Sequence, residues 1–127
     1  MRAMKDLLFT NDHEWVDVQG DEAYIGLTEF AAKALGDIVF VELPEPEEEF
    51  GAGDSFGVVE SVKAAADMYM PVEGTILEIN TELEDEPSQI NQTPLEAWFV
   101  KIKLADKDQL SGLMTPVDYE RFCEEEA

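Results

Sequence analysis

Apolar residues recur mostly at every second position, in short runs broken by turn residues, which is the pattern of half-buried antiparallel strands. Residues 15–18 and 23–27 flank Gln19-Gly20-Asp21-Glu22, predicting a hairpin. Over residues 37–43, Val39, Val41 and Leu43 share one face while Ile38 and Phe40 share the other, so this strand is expected to be central and covered on both sides. Residues 55–62, 66–70, 75–80 and 98–104 complete a set of about seven strands. In the last of these, Trp98, Val100, Ile102 and Leu104 face one way and Lys101 and Lys103 the other.

Three stretches read as helical. Thr28 is placed to cap a helix over residues 29–35, and Gly36 stands where a left-handed C-terminal cap is wanted. Asp106 predicts a short turn through Leu113. Thr115-Pro116-Val117-Asp118 sets a capping hydroxyl before a proline and an acid, so residues 116–124 should be helical. Two prolines and four glutamates over residues 43–49 predict a solvated loop. With no linker and no repeat, residues 1–127 are expected to form one mainly-β domain with a C-terminal helix.

Composition narrows the function. Thirty acidic residues against 8 basic ones give a net charge of −22, which repels phosphate backbones and anionic lipid and favours partners with basic faces. Nucleic acid and membrane are therefore not expected as partners. Cys123 is the only cysteine, so neither an internal disulfide nor a multi-cysteine metal site can form. Only Leu7, Leu8 and Phe9 follow the two early basic residues before Thr10, too short a run for a signal-peptide core, and a cytoplasmic monomer is expected.

Signatures of independent catalysis are sparse. There is no phosphate-binding loop and no dinucleotide fingerprint, and His13 is the only histidine, read as a structural or surface residue beside Glu14 and Trp15. The informative stretch is Glu60-Ser61-Val62-Lys63-Ala64-Ala65-Ala66-Asp67. Two strands enter and leave a tight connection at Lys63, presenting a solitary amine among small side chains. That suits acylation by a modifying enzyme, which removes the charge. Glu60 and Asp67 would help to supply the docking surface.

This stretch, followed by Pro71-Val72-Glu73-Gly74, resembles the lipoyl-attachment hairpin of the glycine cleavage system H proteins. The resemblance extends through His13-Glu14-Trp15-Val16, Ile25-Gly26-Leu27-Thr28, the run from Ala34 to Pro44, Gly53-Asp54, Ile79-Asn80, Leu83, Ile90-Asn91 and Tyr119 to Phe122. Biotin carriers, which flank their lysine with methionines, and the shorter lipoyl domains of 2-oxo acid dehydrogenases are poorer matches. Two positions depart from the family: Leu95-Glu96-Ala97-Trp98 replaces a glycine-containing loop, and Phe30 stands where histidine is frequent. A paralogous lipoyl carrier serving sulfur oxidation or redox signalling is the alternative these departures leave open.

The resemblance implies a barrel-sandwich hybrid of two antiparallel sheets, with a short helix after the second strand and a C-terminal helix. It implies a non-catalytic carrier with lipoate in amide linkage to Lys63, taking an aminomethyl group from a pyridoxal-phosphate-dependent glycine decarboxylase to an aminomethyltransferase. Dihydrolipoamide dehydrogenase would reoxidise the arm, and a lipoate-attaching enzyme would install it. Because an aminomethyl thioether is unstable in water, the loaded arm is expected to fold into a cleft, with Glu14 and Asp67 as contacts for its ammonium.

Overall fold

A computed structural model describes residues 2–126. Nine strands, β1 (Leu8–Phe9), β2 (Glu14–Gln19), β3 (Glu22–Leu27), β4 (Ile38–Glu42), β5 (Glu49–Phe50), β6 (Ser55–Ser61), β7 (Ala65–Tyr69), β8 (Gly74–Ile79) and β9 (Trp98–Leu104), form two antiparallel sheets. The larger has the order β1-β2-β3-β9-β8-β5 and the smaller β4-β6-β7. Their facing sides bury Val16, Ile25, Val100 and Ile102 from the large sheet against Val41, Val59 and Met68 from the small one. Two strands beyond those expected, β1 and β5, are only two residues long, too short to show alternation.

The helices follow their caps. In α1 (Glu29–Leu35) the Thr28 hydroxyl accepts the Ala31 amide, and Gly36 closes the helix at φ +84°. In α4 (Pro116–Glu126) the Thr115 hydroxyl accepts the Asp118 amide, and Asp106 caps a 3-10 turn over Lys107–Gly112. The one-turn helices α2 (Glu82–Asp85) and α3 (Gln89–Gln92) were not foreseen; each buries one apolar residue, Leu83 or Ile90, without helical periodicity around it.

Two bulges correct the strand readings. The strand over residues 37–43 is an edge strand, not a central one: β4 pairs only with β6. Ile38 stands opposite Ser61 and Phe40 opposite Glu60, so Val39 is an extra residue that shifts the phase of the pleat. Ile38 and Val41 therefore point inward, while Val39 and Phe40 are exposed. In β9 the register slips where Ile25 and Gly26 of β3 meet Val100 and Trp98. Phe99 takes the core position, and half-buried Trp98 packs edge-on against Tyr24.

A second cluster, of Leu7, Phe9, Trp15 and Tyr119, joins β1 and β2 to α4. Trp15 lies across Gly26, where a Cβ would fall 2.3 Å from its ring, and its indole N–H donates to the Pro94 carbonyl at 3.0 Å. Gly26→Ala should therefore destabilise the fold by about 1–3 kcal/mol through overpacking; urea unfolding of the variant against the parent checks this.

Candidate functional site

The β6–β7 register of Glu60 to Ala65 leaves Val62, Lys63 and Ala64 as the connecting turn. Ser61 closes the turn. Its N–H donates to the Ala64 carbonyl at 2.8 Å, and its hydroxyl oxygen accepts the amides of Lys63 and Ala64, each at 3.1 Å. The Val62 amide donates to the Asp37 carbonyl at 3.0 Å, tying the turn to the junction of α1 and β4. Asn91 braces that junction, donating to the Gly36 carbonyl and accepting the Ile38 amide, both at 2.9 Å. The Lys63 stem crosses Gly36 so closely that a Cβ there would lie 3.0 Å from Lys63 Cε. Lys63 is exposed, and among the described residues no carboxylate lies within ion-pair distance of its Nζ.

Glu60 and Asp67 sit on the outward face of the small sheet, because Val59 and Ala66 occupy the inward positions between them. Asp67 accepts the Ser55 hydroxyl at 3.1 Å. Since β7 is an outer strand, the space beyond its free side is a cleft of about 280 Å³, lined by Leu35, Ala66, Asp67 and Met68 with Asp12, His13, Phe30 and Glu126 among its other walls.

Glu14 reaches the same hairpin from β2. It is 1% exposed, and its carboxyl accepts the Tyr69 amide at 2.7 Å and the Thr10 hydroxyl at 3.1 Å. The amide it satisfies belongs to the outer strand of the small sheet. Burial pushes the Glu14 carboxyl up to about 8; the Tyr69 N–H opposes the shift and the neighbouring Asp12 adds to it. Glu14 lines a second cleft of about 410 Å³ with Thr10, Asp12, Gly53 and Met70, and Asp12 belongs to both clefts. Lys63, Glu60 and Asp67 thus share one hairpin, with Glu14 joined to it through Tyr69. Sequence reasoning missed Asp12, Thr10 and the Asn91 brace; the only signal was the turn-forming run from Thr10 to Asp12.

Of the two readings open for His13, structural or surface, its contacts fit the structural one. Held at φ +65°, it stacks on Phe30 and hydrogen-bonds Tyr119 Oη at 2.8 Å and Glu126 Oε2 at 2.7 Å. Tyr119 Oη in turn meets Thr28 Oγ1 at 2.7 Å. This chain of contacts fixes both ends of α4 beside the first turn of α1.

A family model described as "Glycine cleavage H-protein" matches residues 7–126. The chain belongs to this family. It is 51% identical over 127 residues to a glycine cleavage system H protein of Alkaliphilus oremlandii, covering the whole of both chains, and 51% identical over 125 residues to one of Clostridium botulinum strain Okra, covering 98% and 96%. Its fold matches the crystal structure of an H protein from Mycobacterium marinum with a TM-score of 0.82 and 35% identity, over 96% of this chain and 97% of that one. As a glycine cleavage H-protein the chain is a lipoyl carrier rather than a catalyst. No helix among the described residues is long and apolar enough to cross a membrane.

The buried carboxyl gives a signed pH prediction. Between about pH 4.5 and about 8 the folded state keeps a proton on Glu14 that the unfolded chain has lost. That contribution to stability is therefore full below the lower value and is lost as pH rises through the upper one, by at most about 1.4 kcal/mol per pH unit. Glu14→Gln should remove this segment, so the stability of wild type relative to the variant should fall between about pH 4.5 and about pH 8 and level off above it in urea titrations.

Proposed function

We propose that Lys63 is the lipoyl attachment residue and that the arm built on it serves the glycine cleavage reaction. The observation that carries this reading is the exposed, unpaired Lys63 at a turn closed by Ser61 and anchored on Asp37, in a chain of the H-protein family. The residues fit the group: the stem lies over a glycine, Ala64 and Ala65 leave the amine uncrowded, and an apolar-walled cleft with acidic residues runs beside β7. The bound lipoyl group supplies disulfide and dithiol chemistry and carries the aminomethyl unit, so the protein needs no cysteine for the reaction.

The chain's own residues present and shelter that arm. The turn fixes where Nζ projects, and the rigid pairing of β6 with β7 keeps it clear of the sheet. Leu35, Ala66 and Met68 give the cleft apolar walls that exclude water from a labile thioether. Asp67 and Asp12 offer carboxylates to an ammonium there. Glu14 lines the adjoining cleft that shares Asp12; its carboxyl is kept neutral by burial, and a cation brought beside it favours the ionised form, so Glu14 Oε would give up its proton to an ammonium that reached that cleft.

The partners this reading requires are a pyridoxal-phosphate-dependent glycine decarboxylase, an aminomethyltransferase, dihydrolipoamide dehydrogenase and a lipoate-attaching enzyme. All would meet a single carrier domain in the cytoplasm. A net charge of −22 steers such a carrier to basic faces and raises encounter rates without a permanently sticky surface, as successive transient docking demands.

The deciding experiment is a peptide mass spectrum over Lys63 after lipoylation and incubation with glycine and a glycine decarboxylase. The expected product is a lipoyl adduct bearing one aminomethyl group, absent in Lys63→Arg. A lipoyl group that never loads would move the chain to a paralogous carrier, and an unmodified Lys63 would overturn the proposal. Glu14→Ala should shorten the lifetime of the loaded form at least about 5-fold, the lower end of the ~1–3 kcal/mol lost when a buried polar partner is removed; the decay is followed by formaldehyde release.

A further inference from the structure

Large apolar side chains are exposed unevenly. Val39 is 55%, Phe40 48% and Val62 68% exposed, and all three lie at the Lys63 end of the small sheet, whereas Met4, Leu77 and Val117 lie singly on other elements. The cause is local. The bulge at Val39 turns both Val39 and Phe40 outward, and the bond from the Val62 amide to Asp37 holds Val62 beside the start of β4. Phe40, Glu60 and Ala65 then form one cross-strand row, and Glu42, Val58 and Asp67 form the next. Three exposed acids adjoin them: Glu60 stands opposite Phe40, Glu42 lies two residues further along β4, and Asp37 accepts the Val62 amide through its carbonyl.

We propose that Val39, Phe40 and Val62 are the docking surface for the enzyme that acylates Lys63, and that this enzyme meets them with an apolar depression rimmed by lysine and arginine. The inference rests on Lys63 being acylated and names the surface that directs it. Proximity selects the occupant. An enzyme that makes the amide must bring an activated carboxyl carbon to Nζ itself, so its active-site mouth has to cover the turn and whatever flanks it. Enzymes that act on the far end of a completed arm can dock elsewhere on the carrier, anywhere within the arm's reach. The charge follows from these neighbours, since three exposed acids beside an apolar patch are complementary to a basic edge.

The step is redox-neutral. Unprotonated Nζ attacks the carboxyl carbon of a lipoyl donor activated as an acyl-nucleotide, and a C–N bond forms. The bond to the nucleotide leaving group breaks with its electron pair, and the nitrogen loses one proton to a base of the enzyme or to solvent.

The test uses full-length apo-protein with a purified lipoate–protein ligase, lipoate, ATP and magnesium, following intact mass against acceptor concentration. The double variant Val39→Ser/Phe40→Ser should lose about tenfold in kcat/KM, through KM, with kcat nearly unchanged. Val62→Ser alone should give a smaller loss in the same direction, and Val117→Ser on α4 should behave as wild type. KM for the wild type should rise with added salt. An unchanged KM in the double variant, or a loss confined to kcat, would overturn the docking surface. A wild-type chain that no ligase acylates at Lys63 would instead overturn the attachment assignment along with it.

Discussion

The hydrogen bond from the Val62 amide to the Asp37 carbonyl is the constraint on which the presentation of Lys63 depends. A hairpin turn three residues long would otherwise be fixed only by its own strands. Here it is tied to a second segment whose shape is set independently, by the positive φ of Gly36 and by the two hydrogen bonds of Asn91. Gly36 serves twice: it ends α1, and it leaves the space through which the Lys63 stem runs. The small sheet, the first helix and the α3 turn therefore converge on one side chain that the core itself does not require.

Electrostatics divide the surface in a corresponding way. Arg2 pairs with Asp17 at 2.8 Å between the rings of Trp15 and Tyr24, and Lys101 and Lys103 pair with Glu22 and Asp21 along the outside of the large sheet. These cations are committed to holding strands together. Among the described residues Lys63, like Lys5, Lys107 and Arg121, forms no ion pair, and of these it alone stands at the tip of a strand hairpin, within an acidic neighbourhood, where acylation would remove its charge. The buried Glu14 is the counterpart on the inside: its proton compensates for a desolvated carboxylate, and the amide it accepts is one that the outer strand of a sheet would otherwise leave unpaired.

Much of this was legible in the residues. Thr28 with Gly36, the hairpin at Gly20 and the Thr115-Pro116 helix start are local signals, decided by caps and turns whose partners lie within a few positions. Lys63 stood out because small residues surround it. The unread parts depend on partners distant in the chain. Alternation in β2 does not reveal that Glu14 meets Tyr69 across 55 positions, nor does Asn91 announce that it braces Gly36. The pleat phase of β4 was misread because a bulge is a property of the pair and only β6 defines it.

That bulge has a consequence for how the surface can vary. Val39 is inserted without a cross-strand partner of its own, so Ile38 and Val41 would keep their inward positions if the residue were removed or exchanged. Length and composition at this point of β4 are uncoupled from the packing of the two sheets. The neighbourhood of Lys63 can therefore diverge between lineages, changing what the carrier shows to other proteins, while the interior that holds the lysine in place is inherited intact.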